Sequence, residues 1–370
     1  MMNTSPRSPK IEDLRVAAYT IPTETEECDG TYCWKKTTLV VVELVGGGKT
    51  GLGYTYADRS TAVVIDHALR ELVLGADVMN VRAVWDRAHS SVRNLGSRGI
   101  CATAISAVDT ALWDLKAKLL GVSLVQLLGQ VREALPIYGS GGFCNYSKQQ
   151  LQEQLASWTE KGISMVKIKI GRDSEADLQR IADAREAIGA RAQLFVDANG
   201  AYIFKDALAQ AEVFADFDIR WFEEPVSSDD LEGLRLMRGR APACMEIAAG
   251  EYGYDSLYFR RMLAAGAVDV LQADVTRCGG ITGFLQAGAL CDAFQVPLSA
   301  HCAPALHLHV GCAVSALRHA EYFFDHVRIE RLLFEGVSDP QKGTLHPDVS
   351  RPGLGLEFKH TDAAQYLCKP

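Results

Sequence analysis

The chain has 370 residues, 48% hydrophobic and 23% charged. That is a globular composition, with more chain than one ordinary compact core holds. Its formal net charge of −8 argues against nucleic acid or an anionic membrane as the main partner, although a local site can invert that field for a small anion. No stretch is apolar for long enough to span a bilayer.

Residues 1–10 are polar, contain two prolines and lack an apolar signal-peptide core, so they read as a frayed start. The ten cysteines show no CxxC pair and no zinc-like array. They read as thiols of a reduced, cytoplasmic protein, with Cys101, Cys291 and Cys312 as small buried hydrophobes. Cys28 and Cys33 flank a loop and could pair in an oxidising compartment, the lesser expectation.

Residues 11–57 read as strands and turns, with a clear strand over 37–45. The run Gly46-Gly47-Gly48-Lys49-Thr50-Gly51 satisfies GxGxxG formally, but a nucleotide site needs a helix next. Leu52-Gly53-Tyr54-Thr55-Tyr56 follows instead and reads as another strand, so the glycines predict a hairpin turn. From about 62 to 129 the apolar period is helical, with Gly121 and Gly129 at helix ends. Residues 11–130 are therefore expected to form an α+β domain.

From about residue 135 strands and helices alternate. Strands are expected over 136–139, 165–170, 193–197, 220–223, 245–248, 268–273, 297–300 and 320–324. Helices are expected over 147–161, 174–188 and 204–214. The pattern predicts an α/β fold with a (β/α)8 barrel over 131–352, a doubly wound open sheet being the alternative. The tail over 353–370 lacks a strand–helix unit and is expected to return to the first domain.

In a barrel, reactive groups gather at the C-terminal ends of the strands. The second strand carries Lys167 and Lys169 on one face, because side chains alternate along a strand. Two adjacent ammonium groups repel, which is expected to lower both pKa values and make a usable base. The bland alternative is a solvated lysine edge. The next strands end in Asp197 with Asn199, Glu223 with Glu224, Glu251, Asp274, His301 and Glu321. A single charge beyond a strand is usually solvated, but seven consecutive strands each delivering one is hard to assign to packing alone.

Asp197, Glu223 and Glu251 come from three adjacent strands. Three such carboxylates repel unless a cation joins them, and hard oxygen ligands suit Mg²⁺, with Mn²⁺ as a substitute. Alternation points Glu224 elsewhere, as a supporting or structural group. Asp274 and His301 lie on neighbouring strands, so the carboxylate can orient the imidazole as a second acid or base. His307 and His309 lack such a partner and read as structural. Glu321, if buried and protonated, could donate a hydrogen bond to a substrate oxygen. Together these groups suit removal of a proton α to a carboxylate, with a metal stabilising the enediolate.

The motifs Lys167-Ile168-Lys169, Val196-Asp197-Ala198-Asn199-Gly200, Phe222-Glu223-Glu224-Pro225, Gly250-Glu251, Asp274 with Gly279-Gly280, His301 and Glu321 resemble the enolase superfamily. Within it they resemble the mandelate racemase-like subgroup, over nearly the whole chain. The resemblance implies a modified TIM barrel with an N-terminal capping domain. It implies Lys169 as one base, tuned by Lys167, and His301 oriented by Asp274 as the other. It further implies Mg²⁺ on Asp197, Glu223 and Glu251, Glu321 as electrophile, and Asn199 near substrate or metal. Segments around 23–34 and 53–57 would select the substrate, a small carboxylate, with Tyr54 and Tyr252 as binding residues.

Glu24, Glu26 and Glu27 would disfavour very anionic substrates unless they point to solvent. Relatives of this kind are often homo-oligomers. Two bases permit dehydration of a sugar acid to a 2-keto-3-deoxy acid, the favoured outcome in this subgroup, or else racemisation or epimerisation. Cycloisomerisation is less expected, because such relatives usually place a lysine where His301 stands. A non-catalytic sugar-acid-binding protein is the rival of a different class.

Overall fold

The computed structural model describes residues 8–368. Of the start expected to fray, residues 1–7 lie outside the described residues. Lys10 bridges Asp77, and the Pro9 carbonyl accepts the Val78 N–H at 3.1 Å.

A three-stranded antiparallel sheet comes first, formed by β1 (Asp13–Cys28), β2 (Cys33–Gly46) and β3 (Lys49–Tyr56). The glycine run turns β2 into β3, with Gly47 and Gly48 at φ 55° and 73°. This is the hairpin expected in place of a nucleotide loop. Helices α1 (Ser60–Val64), α2 (Arg70–Val73), α3 (Val81–Ser91), α4 (Ile100–Leu120) and α5 (Leu124–Leu128) follow, with a π-helical turn over Ile65–Leu69 between the first two. Most of α4 is buried, because the sheet covers one side of it and the barrel the other. The close approach of β3 depends on Gly53. A Cβ there would lie 2.1 Å from the Ala107 carbonyl oxygen of α4.

The hairpin joining β1 and β2 corrects one expectation. Register pairs Cys28 with Cys33 across the strands, and the two are joined in a disulfide. The linear spacing conceals this because the turn between them brings their Cα atoms to 4.1 Å. The other eight cysteines are free.

The second layer alternates strand and helix: β4 (Leu135–Gly141), α6 (Lys148–Glu160), β5 (Met165–Lys169), α7 (Ser174–Ile188), β6 (Gln193–Asp197), α8 (Phe204–Ala215), β7 (Ile219–Glu223) and α9 (Leu231–Arg240). It continues with β8 (Glu246–Ala249), α10 (Ser256–Ala264), β9 (Val270–Ala273), α11 (Gly280–Phe294), β10 (Leu298–Ala300), α12 (Pro304–Gly311), β11 (Leu317–Phe323) and α13 (Phe324–Leu333). Each strand lies within a few residues of its expected span. The eight strands are parallel neighbours in chain order, and β11 pairs back to β4. The ring is closed, which excludes the open doubly wound sheet. Tyr138, Phe195, Trp221, Ala248 and Val270 form a buried cluster inside it, so the lower barrel is packed rather than open.

Short strands β12 (Phe334–Glu335), β13 (Thr344–Leu345) and β14 (Glu357–Phe358) and helix α14 (His360–Ala363) complete the chain. This tail returns to the first layer. The Leu354 N–H donates to Asp114 Oδ1 at 2.6 Å, and the Cys368 N–H donates to the Ala18 carbonyl at 2.8 Å. The layers are also tied by buried polar pairs. Tyr54 Oη donates to Glu330 Oε1 at 2.7 Å, and Thr282 Oγ1 donates to Asp109 Oδ1 at 2.7 Å. Among the described residues no helix is long and apolar enough to cross a membrane.

Candidate active site

The C-terminal ends of the barrel strands converge beneath the β1–β2 hairpin. From β5, Lys167 and Lys169 both point inward and are buried. Lys167 Nζ lies 2.6 Å from Glu223 Oε1 and 2.8 Å from Glu321 Oε1. Lys169 Nζ lies 2.5 Å from Asp197 Oδ2.

This geometry overturns the expectation that mutual repulsion brings the two lysines toward neutrality. Burial does disfavour their charge. The carboxylates of Glu223 and Glu321 around Lys167, and of Asp197 beside Lys169, outweigh both burial and repulsion. Both ammonium groups are therefore held above the ordinary lysine range in this state.

Asp197, Glu223 and Glu251, from the ends of β6, β7 and β8, are buried with one oxygen each within 4.8 Å of the others. Glu251 Oε2 is buried without a hydrogen-bond partner among the described residues. Trp221 Nε1 donates to Glu223 Oε2 at 2.9 Å. Burial and the Asp197 charge push the Glu223 carboxyl up to about 8, against the pull of Lys167. A cluster of buried oxygens, one of them orphaned, fits a hard divalent cation of the Mg²⁺ type.

Glu224 is buried beside this group but contributes no oxygen to it. Burial first, and then the Glu251 charge, hold its carboxyl well above the usual range. Asn199 sits at φ 48°, its N–H donating to Asp197 Oδ1 at 2.8 Å. Its side-chain oxygen is buried and free of partners among the described residues.

From the ends of β9 and β10, Asp274 Oδ2 and His301 Nδ1 lie 2.9 Å apart. Burial opposes the Asp274 charge, but the hydrogen bond with His301 holds it down at about 2. Burial likewise opposes the imidazolium, but Cys302, Glu251 and Glu321 raise His301 well above its ordinary value. Glu321, near the end of β11, accepts from Ser140 Oγ at 2.5 Å and from the Cys302 N–H at 3.0 Å. Although burial opposes its charge, Lys167 holds Glu321 below the carboxylate range. In this state Glu321 accepts hydrogen bonds rather than donating one.

Chain comparisons agree with this arrangement. Residues 29–129 match the mandelate racemase/muconate lactonizing enzyme N-terminal domain, and residues 150–363 match the enolase C-terminal domain-like family. The chain belongs to the mandelate racemase/muconate lactonizing enzyme family of the enolase superfamily.

Among its relatives in this family is 3,6-anhydro-alpha-L-galactonate cycloisomerase from Streptomyces coelicolor, 32% identical over 94% of this chain and 98% of the relative. Another is arabinonate dehydratase from Saccharolobus solfataricus, 30% identical over 88% of each. A mandelate racemase/muconate lactonizing enzyme-like protein from Rubrobacter xylanophilus is 51% identical with a TM-score of 0.95, covering 97% of this chain and 100% of that one. A racemase from Streptomyces coelicolor, crystallised with magnesium, is 30% identical with a TM-score of 0.90, covering 97% of this chain and 100% of that one. The family is enzymatic and this member is an enzyme, so the rival reading of a non-catalytic binder falls.

In this family member a cleft of about 710 Å³ opens above the strand ends. The barrel contributes Lys169, Asn199, Glu251, Tyr252 and His301. The first layer contributes Asp29, Tyr32, Trp34 and Tyr56, from the two segments expected to border the mouth. Tyr54 does not line it. Its ring is fully buried against Phe334, with centroids 4.7 Å apart, and its hydroxyl is committed to Glu330. Tyr56, one strand repeat further toward the mouth, lines the cleft instead. Glu27 is buried and bonded to Trp34 Nε1 at 2.8 Å. Burial first, then Asp325, push its carboxyl up to about 9, so it adds no negative charge to the mouth near neutrality. Glu26 pairs with Lys35 at 3.4 Å.

Sequence reasoning missed Ser140, Trp221, Arg277 and Cys302. Trp221 precedes Glu223 by two residues and so shares its face, a signal available from alternation. Arg277 lies 3.3 Å from Glu251 Oε1 and 3.6 Å from Asp274 Oδ2. Its place three residues after Asp274 was the available cue. His307 takes the Val275 N–H at 3.0 Å and faces the Cys302 carbonyl at 2.9 Å, and His309 takes the Val125 N–H at 3.3 Å. Both are satisfied structural residues.

Proposed function

We propose that this enzyme removes the proton α to the carboxylate of a sugar acid and expels the oxygen on the β carbon, yielding a 2-keto-3-deoxy acid. One observation carries this reading. Lys169 and His301 border the same cleft from β5 and β10, which β4 and β11 separate on one side and four strands on the other. Two proton-transfer groups thus face one bound molecule from different directions.

Asp197, Glu223 and Glu251 would hold Mg²⁺, or Mn²⁺ in its place. When bound, the ion supplies positive charge beside the developing oxyanion and takes up part of the Asp197 charge that now fixes the Lys169 proton. Lys169, once neutral, accepts the α proton at Nζ. His301, held by Asp274 through Nδ1, donates from Nε2 to the departing β-oxygen, which leaves as water. The enol then tautomerises to the 2-keto acid. Lys167, buried behind the cleft, would tune Lys169, and Glu321 would face the substrate carboxylate. A second anion beside Glu321 raises its proton affinity and lets it donate a hydrogen bond.

A ring-opening variant has one observation in its favour: the relative matched over 94% of this chain is named for a 3,6-anhydro-galactonate. Such an acid carries an ether oxygen on its β carbon, so the same two groups would cleave that bond. Return of a proton at His301 without C–O cleavage would give epimerisation instead.

The test is proton NMR in D₂O of the Mg²⁺-loaded enzyme with arabinonate, galactarate, rhamnonate and 3,6-anhydro-L-galactonate. Loss of the α-proton signal together with a 2-keto-3-deoxy product supports the proposal. Exchange without C–O cleavage replaces it with epimerisation. Silence across the panel overturns it.

A further inference from the structure

Beside the three carboxylates stands a second cluster of a different chemical kind. His301 Nε2 lies 3.3 Å from Cys302 Sγ, which lies 3.4 Å from Glu321 Oε2. The imidazole nitrogen and the carboxylate oxygen are 3.7 Å apart. All three side chains are buried. Nitrogen, sulfur and oxygen ligands at about 2.0–2.3 Å from one tetrahedral cation stand roughly 3.3–3.6 Å apart. The three atoms therefore already sit near the corners of such a polyhedron.

Two further observations point to a ligand. Asp274 holds Nδ1 of His301, the outer arrangement that metal-bound histidines use to turn the Nε2 lone pair inward. Glu251 Oε2, buried and without a well-formed hydrogen bond among the described residues, approaches that same Nε2 to 3.3 Å and offers a fourth ligand.

We infer that His301, Cys302 and Glu321 form a site for a thiophilic divalent cation, with Zn²⁺ the expected occupant, and that its occupation switches the enzyme off. Sulfur and imidazole select Zn²⁺ where an all-oxygen cluster suits Mg²⁺. The two sites share Glu251 but differ in their other ligands. Zn²⁺ on Nε2 removes the lone pair through which His301 moves a proton. Burial and Glu321 push the Cys302 thiol up to about 12, so binding displaces its proton together with the Nε2 proton of His301, and both leave through the cleft to solvent. The inhibition rests on the proposed role of His301. The binding does not.

The experiment adds Co²⁺, as a spectroscopic stand-in, to the enzyme in excess Mg²⁺. One Co²⁺ per chain is expected to give a thiolate-to-cobalt charge-transfer band that Zn²⁺ bleaches and that Cys302→Ser lacks. Zn²⁺ is then expected to stop product formation from the sugar acid turned over fastest, with Cys302→Ser needing at least about tenfold more Zn²⁺. If the serine variant does not fold, Cys302→Gly serves, since residue 302 sits at φ 51°, where glycine is unstrained.

No band at one equivalent of Co²⁺, or a band that persists in the variants, overturns the site. Equal Zn²⁺ inhibition of wild type and variant places the inhibition at the carboxylates and overturns the switch. Absence of turnover with every acid overturns the proposed reaction and the switch with it, while the cobalt band still decides the cation site.

Discussion

Lys169 Nζ and Asp197 Oδ2 stand 2.5 Å apart in a buried pocket. One carboxylate is thus both the partner that fixes the lysine proton and a member of the oxygen cluster suited to Mg²⁺. Under the proposed mechanism, cation binding and release of the lysine proton are coupled through it. Lys169→Met is expected to lower turnover by about 10²–10⁴-fold, the usual contribution of a positioned base. It removes a cation competing for Asp197, so Mg²⁺ affinity should be unchanged or higher. Steady-state rates and calorimetric Mg²⁺ titration check this, and normal turnover or clearly weaker Mg²⁺ binding refutes the coupling.

His301→Asn separates the two proton transfers. Product formation is expected to fall by about 10²–10⁴-fold. Exchange of the α proton on the Lys169 side should persist, because Asn does not alter the β5 end. Solvent-deuterium incorporation into recovered substrate measures it. Loss of exchange together with turnover would mean that the two groups do not act separately.

The proposed Mg²⁺ site makes a stability prediction. A ligand that binds only the folded state at about 100 times its Kd stabilises by roughly 2.7 kcal/mol. Mg²⁺ at that excess is expected to raise the melting temperature, and EDTA to reverse the rise. Glu251→Gln should shrink the Mg²⁺-dependent shift and weaken binding by at least about tenfold. A full shift in that variant removes Glu251 from the ligand set.

The strand ends were the legible part of this chain. Lys167, Asp197, Glu223, Asp274 and Glu321 could be placed because alternation and the barrel rule act locally, strand by strand. What escaped depended on contacts between distant segments. Cys28 and Cys33 needed the register of a hairpin that the acidic 23–27 stretch disguises as a loop. Tyr54 and Tyr56 lie on one face of β3. Only the packing of α13, through Glu330 and His326, commits the first to the domain interface and leaves the second at the cleft. The lysine protonation states were misjudged because the two lysines repel locally, while the anions that outweigh the repulsion come from β6, β7 and β11.

Gly30, at the tip of the β1–β2 hairpin, gives a test of cleft closure. A Cβ there would lie 2.5 Å from the carbonyl oxygens of both Ile170 and Ala198. Gly30→Ala therefore lifts the tip off the strand ends. Overpacking of this kind costs about 1–3 kcal/mol. Because the tip can move away, the cost should appear as a KM increase of about tenfold, equivalent to ~1.4 kcal/mol, with little loss of melting temperature. An unchanged KM would mean that the tip plays no part in holding substrate.

Glu330 gives the fold a pH dependence that does not involve the site. Its carboxylate is fully buried on α13, where burial pushes it up to about 8 despite the hydrogen bonds from Tyr54 and the Ala305 N–H. In the unfolded chain it titrates near the ordinary 4.5. The folded state therefore holds this proton more tightly than the unfolded state. The stability it contributes is complete below pH 4.5 and is lost as pH rises through about 8. Glu330→Gln keeps an uncharged acceptor for Tyr54 and cannot ionise. Melting temperatures measured between pH 5 and 9 should fall less steeply in that variant than in wild type. Tyr54→Phe removes one of the two donors to the buried carboxyl, at a cost of about 1–3 kcal/mol. Parallel pH profiles for wild type and Glu330→Gln would show that Glu330 is not the group responsible.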